Sequence, residues 1–184
     1  MDKPALLDSQ NSKEGRSSVV EWLNDRYGYA GLVHRLDFGT SGLMVCAKTA
    51  TAARDLTKAL QEGKIKRQYL AVVMGKILPD SGELKTPLEE QNALTKFRVR
   101  ERFANATLVE VELETGRKHQ IRRHFSEAGH PLLGDHLYGK KGSQRLFDRP
   151  ALHAYRLVVV GREFRAELPD DLTQLIQRLK AIRS

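Results

Sequence analysis

Two runs of strict alternation in the middle of the chain constrain its fold more than any other feature. Phe97 and Val99 alternate with Arg98 and Arg100. After a break at Ala104 and Asn105, Thr107, Val109, Val111 and Leu113 alternate with Leu108, Glu110, Glu112 and Glu114. A period of two sends one set of side chains to a core and the other to water, so the segment reads as a hairpin of two half-buried strands. Upstream, residues 68–74 are apolar and β-branched without alternation, which suits a strand buried in a sheet. Two further strands are expected over 154–160 and 163–168.

Helical patterns interrupt these strands. Ser18 and Glu21 make a capping box ahead of Val19, Trp22, Leu23 and Tyr27, and Gly28 stops the pattern. Thr49 caps a second helix with Ala52, Ala53, Leu56, Ala59 and Leu60 on one face, ending at Gly63. A third is expected from Arg117, with Ile121, Phe125 and Ala128 inward and Gly129 as its stop. The last carries Leu172, Leu175, Ile176, Leu179 and Ile182 on one stripe. Residues 5–17, 76–95 and 130–150 read as loops. Strands and helices are mixed and the strand connections are hairpins, so the class is α+β: one domain over residues 1–184, with a largely antiparallel sheet.

The charge balance adds a partner. Thirty-one Lys and Arg against 23 Asp and Glu give +8, with a pI near 9.7, which suggests a polyanion and most simply nucleic acid. The lone Cys46 lies in an apolar run as a small core residue and has no partner for a disulfide, which fits a reducing cytoplasm. No apolar run approaches membrane-spanning length and no signal peptide opens the chain, so a soluble intracellular protein is expected.

Candidate chemistry narrows by elimination. Gly134, Gly139 and Lys140 have phosphate-loop spacing, but Lys141 stands where Ser or Thr should hold magnesium, and the segment follows a loop rather than a strand. His119 and His124 are five apart, about 140° around a helix, so they cannot share one ion from one helix. Without a second Cys or an HExxH pattern, no zinc site is expected, and no Ser or Cys sits in a nucleophile elbow. What remains is Asp37, in the Gly-rich stretch His34–Gly42 between two strand-length apolar runs, together with the basic residues 117–124. On local grounds an ordinary Asx turn is the commoner reading of Asp37. As a nucleophile it would have to be ionised, and Arg35, Arg117, Arg122 and Arg123 could favour that state. For Lys118 and Arg123 alone a solvated basic face is the preferred reading.

Five segments in one order decide the matter: His34-Arg35-Leu36-Asp37 with Thr40-Ser41-Gly42; Lys66-Arg67-Gln68-Tyr69; Thr115-Gly116-Arg117-Lys118-His119-Gln120-Ile121-Arg122; Gly129-His130-Pro131-Leu132-Leu133-Gly134-Asp135; and Leu152-His153-Ala154. Together they resemble the RluA-type pseudouridine synthases. Asp2-Lys3-Pro4 resembles the early Lys-Pro element of that family, and no separate amino-terminal RNA-binding domain fits before residue 34.

The resemblance implies a mixed, mainly antiparallel sheet flanked by helices, an RNA cleft, and isomerisation of uridine to pseudouridine without cofactor or metal. It implies Asp37 as nucleophile, Tyr69 stacked on the target base and assisting a proton transfer, and Arg122 paired with Asp37. Arg35 would hold the flipped nucleotide, with Arg117, Lys118 and His119 as further RNA contacts. The expected partner is structured ribosomal or transfer RNA, met by a cytoplasmic monomer without membrane association. Two rivals are weighed against it: an RNA-binding module or inactive relative, and a hydrolase pairing Asp37 with a second carboxylate, which no clearly placed acid supports.

Overall fold

The computed structural model describes residues 1–10, 15–139 and 146–182. In chain order the elements are β1 (Asp2–Lys3), α1 (Val19–Tyr27), β2 (Gly31–Leu32), β3 (Ser41–Leu43), β4 (Cys46–Ala47), α2 (Ala50–Gln61), β5 (Ile65–Met74), β6 (Ser81–Leu84), β7 (Thr95–Arg102), β8 (Ala106–Leu113), α3 (Gln120–Glu127), β9 (Leu152–Val159), β10 (Arg162–Arg165) and α4 (Asp170–Ala181). They gather into two compact units. One holds Met1–Arg67 and Ala154–Ala166; the other holds Gln68–His153 and Glu167–Ser184. Strands β5 and β9 each run from one unit into the other. The class is α+β, and the ladders described below are antiparallel.

In the first unit β1 pairs with β3, β10 pairs with β9, and β2 pairs with β4 in a ladder of its own. The apolar run 43–47 therefore does not form one strand. It splits because the amide of Met44 donates to the Met1 carbonyl while that of Val45 donates to Nε2 of His34, which takes the second amide out of the ladder. Cys46 is half-buried rather than core, its Sγ 3.8 Å from Sδ of Met1. Val33, Ala59, Ile65 and Leu157 form the core of this unit, with the Leu56 and Leu60 face of α2 packed on it. Both helix caps are as expected: Ser18 and Glu21 close a full capping box, and Oγ1 of Thr49 accepts from the amide of Ala52. Of the four residues at helical spacing in α1, Val19 and Leu23 occupy the core side, while Trp22 and Tyr27 lie outside, 46% and 38% exposed. Lys3, one of two residues in β1, is fully buried, its Nζ donating to the carbonyls of Pro4 and Leu7.

The second unit is built on the order β5-β8-β7-β6. The hairpin expected over 97–113 is β7 and β8, with a bulge between Val99 and Glu101. Strand β6 lies in what reads as a loop from sequence. It is four residues, none of them buried, with no apolar alternation, and Gly82 leaves room for the Phe97 ring, which a Cβ there would meet at 2.8 Å. Val72, Phe103, Leu133, Leu172, Leu175 and Ile176 form this unit's core, so the inner face of α4 is as expected except at Ile182, the exposed C-cap. The spacing Gly134 to Lys141 and the loops 5–17 and 130–150 fall partly outside the described residues.

Candidate active site

In the first unit, the segment between β2 and β3 is held from below. Oγ of Ser9 donates to the Leu36 carbonyl at 2.6 Å and accepts from the Leu36 amide at 3.1 Å, while the Leu36 side chain is buried. The amide of Thr40 donates to the Asp37 carbonyl at 3.0 Å and that of Leu6 to the Phe38 carbonyl at 2.8 Å, so the chain turns tightly with half-buried Asp37 at its head. The bond that closes the turn is made by the Asp37 main chain, so Asp37 stands on a loop pinned from both sides. Gly42 must be glycine. Its φ is +110°, and a Cβ would lie 2.3 Å from the Ala154 carbonyl oxygen on β9.

His34 serves this loop as structure. Because Nε2 accepts from the Val45 amide, the ring proton sits on Nδ1, and burial with the nearby Arg67 charge holds the imidazole neutral, its pKa lowered to about 3. Arg35 points to the exposed side, Nη1 on Oε1 of Gln10 at 2.9 Å.

The second unit carries the other expected residues. Tyr69 lies on β5 opposite Val111 and is 4% exposed, so a base reaches its ring only when neighbouring groups give way. Helix α3 starts at Gln120, three residues later than its pattern suggests. The Gln120 side chain explains the delay: its oxygen accepts from the Arg117 amide and the Thr115 hydroxyl, and its nitrogen donates to the Leu94 carbonyl and Oγ1 of Thr95. These bonds hold Arg117, Lys118 and His119 in a turn before the helix, with Arg117 and Lys118 exposed. His119, the N-cap, takes φ +54°.

Within α3, Ile121 and Phe125 turn inward as expected, whereas Ala128, expected inward, is the exposed C-cap, and Arg122 is buried beside the first two. Its guanidinium is forked by Asp135: Nε donates to Oδ2 at 2.7 Å and Nη2 to Oδ1 at 2.8 Å, using two of the five guanidinium donors. Asp135 is fully buried. Burial pushes its carboxyl up, but the Arg122 bond and charge and the amides of Tyr138 and Leu137 outweigh that and hold it below the usual carboxylate range. Tyr138 completes the cluster, its ring 5.2 Å from the Arg122 carbon and its hydroxyl 3.0 Å from Nδ1 of His119. His124 is buried, with Nε2–H donating to the Thr86 carbonyl.

Thus Arg117, Lys118, His119 and Arg122 lie together around the start of α3, while Arg35 and Asp37 share the loop of the first unit. Asp135 and Tyr138 received no role from sequence, although an arginine one position from a core isoleucine signals that a buried anion must exist. A polar groove of about 490 Å³ on the outer face of β5-β8-β7-β6, lined by Glu83, Lys96, Glu112 and Gln68 among others, includes none of the expected residues.

A family model described as RNA pseudouridylate synthase matches residues 1–127. The ribosomal large subunit pseudouridine synthase D of Pasteurella multocida (strain Pm70) is 40% identical over 184 residues, covering 83% of this chain and 56% of that protein. The protein of that name from Neisseria meningitidis serogroup A is 41% identical over 182 residues, covering 82% and 48%. The chain spans about half the length of the curated relatives it matches. Among solved structures, human RNA Pseudouridylate Synthase Domain Containing 4 superposes with a TM-score of 0.84 at 23% identity, covering 97% of this chain and 88% of that one. At that identity the likeness is one of fold.

Proposed function

The chain belongs to the RNA pseudouridylate synthase family, and from that premise we propose that it isomerises a uridine of structured RNA to pseudouridine, with the Asp37 carboxylate as nucleophile. The observation that carries the reading is the pinned turn of residues 34–42, which presents Asp37 on a loop clasped by Ser9 and closed by Thr40. The reaction balances without oxidant, reductant or metal. The bond from C1′ to N1 breaks, a bond from C1′ to C5 forms, the C5 hydrogen leaves as a proton, and N1 gains one. That balance holds whether Asp37 attacks the sugar or the ring.

The glycosidic bond is reached only when the nucleotide is extruded, at a cost of a few kcal/mol of unstacking. Arg35, Arg117, Lys118 and His119 are assigned to offset it by holding the backbone around the flipped nucleotide. Tyr69 and Arg122 are assigned to the reaction itself, Tyr69 at the base and Arg122 as the cation of the centre. The relatives' names support large-subunit ribosomal RNA as the substrate, and the same reading has the protein act on it as a monomer in the cytoplasm. The test is release of tritium from RNA made with C5-tritiated uridine, because only isomerisation replaces that hydrogen. RNA binding with no release would leave an RNA-binding module; cleavage products with no release would indicate a hydrolase.

A further inference from the structure

The outward-facing aromatic residues of α1 have no part in the reading above. The Trp22 and Tyr27 rings meet edge to face with centroids 6.0 Å apart. The Arg26 guanidinium carbon is 5.7 Å from the Trp22 ring centre and 5.8 Å from that of Tyr27, and Nζ of Lys48 is 4.1 Å from the Tyr27 ring. Arg26 and Lys48 are both exposed. Glu21, the nearest acid in sequence to Trp22, turns its carboxylate to the Ser18 amide and hydroxyl in the capping box. At 100° per residue Asp25 lies about 60° from Trp22 on one side and Arg26 about 40° on the other, so the acid is directed away from the basic side.

Two aromatic rings held in place by cations, half open to water, in a chain of net charge +8 form the combination that binds unpaired nucleotides: stacking on the ring faces and neutralisation of phosphates by the adjacent cations. We propose that Trp22, Tyr27, Arg26 and Lys48 form a binding site for single-stranded RNA, separate from Asp37, that stacks unpaired bases flanking the target. The proposal rests on RNA being the partner of the protein but not on any bond being made or broken. A paired helix covers its base faces and offers only phosphates, so the site discriminates single strands from duplexes.

Trp22 is the only tryptophan of the chain, so its fluorescence reports the site directly. The experiment titrates an oligouridylate of about eight nucleotides, and an RNA duplex of equal phosphate number, into the whole protein, reading Trp22 emission and the anisotropy of labelled RNA in parallel. The expected result is strong quenching by the single strand, saturating with the anisotropy curve, and little quenching by the duplex. Trp22→Ala and Tyr27→Ala each weaken single-strand binding by about tenfold, whereas Trp22→Phe, which keeps a ring, retains most of it. Arg26→Gln or Lys48→Gln lowers the slope of log affinity against log salt by about 0.7. Circular dichroism confirms that each variant is folded. Saturated anisotropy with unchanged Trp22 emission, equal quenching by the duplex, or unaltered affinity in both alanine variants overturns the proposal. The titration can be repeated with Asp37→Asn, which does not require turnover. Its failure therefore leaves tritium release untouched, and absence of tritium release leaves it untouched in turn.

Discussion

Replacing Asp135 by alanine tests the most deeply buried charge in the second unit. The Asp135 side chain is 0% exposed and that of Arg122 10%, and two bonds of 2.7 and 2.8 Å join them. Removing one partner of such a pair leaves a desolvated charge and costs about 3–5 kcal/mol. The same carboxylate accepts from the amides of Leu137 and Tyr138 at 3.0 Å each, and losing these adds roughly 1 kcal/mol. For a protein of this size about 2–4 °C of melting temperature corresponds to 1 kcal/mol, so the combined loss of about 4–6 kcal/mol in Asp135→Ala should lower the midpoint by roughly 8–24 °C. Thermal unfolding followed by circular dichroism measures this. Glu89→Ala, which breaks the exposed ion pair of Glu89 with Arg123, is the control and should cost no more than about 1 kcal/mol.

The double variant Asp135→Ala with Arg122→Ala should lose less than the sum of the single losses, by roughly 2 kcal/mol, because it no longer strands a charge. The effect depends on pH with a definite sign. Since the folded Asp135 carboxyl lies below its unfolded value of about 3.9, the stabilisation is complete above that pH and fades as pH falls through the folded value. The gap between wild type and Asp135→Ala should therefore close in acid. An Asp135→Ala variant as stable as Glu89→Ala, or additive single losses, would refute the reasoning.

Other predictions follow from the same structure. His34 is held neutral with its pKa near 3 against about 6.5 unfolded, so lowering the pH to 5 should remove about 2 kcal/mol through this group, and His34→Gln should abolish that part of the acid sensitivity in urea titrations. Gly42→Ala places a Cβ against the Ala154 backbone at positive φ and should destabilise by at least about 2 kcal/mol, whereas Gly63→Ala, with open space around it, carries only the strain of its backbone. RNA affinity should fall steeply with salt. With about 0.7 per phosphate contact, Arg26, Arg35, Lys48, Arg117 and Lys118 together give a log–log slope of about −3.5, and a slope flatter than about −1 would count against them. Exhaustive chelation should leave tritium release unchanged, because the isomerisation balances with the chain's own groups.

What could be read from the sequence was set by local physics. The capping box of Ser18 and Glu21, the cap at Thr49 and the alternation of β7 and β8 are short-range signals, and each appears where its spacing indicates. The five ordered segments likewise led to the family without reference to coordinates. Local spacing says less about how a residue packs in the fold and about partners distant in sequence. Strand β6 has no pattern of its own and exists through pairing with β7. Trp22 and Tyr27 share the helical period of Val19 and Leu23 yet lie outside, since periodicity does not say how wide the buried stripe is. Arg122 is one turn of a basic stretch in sequence and a buried ion in the fold, its fork supplied by Asp135 thirteen positions on. The pairing also changes what Arg122→Ala can test: the substitution removes a structural ion pair as well as a reactive cation, so loss of turnover in that variant must be read beside its stability.

The central claim is that the Asp37 carboxylate is the nucleophile of the isomerisation. Single-turnover release of tritium from C5-labelled uridine in large-subunit ribosomal RNA fragments, at saturating enzyme, measures it in wild type and Asp37→Asn together. The account predicts release by wild type and none above background from Asp37→Asn, while that variant keeps the wild-type circular dichroism spectrum and RNA affinity. Release by Asp37→Asn at a rate comparable to wild type would contradict it.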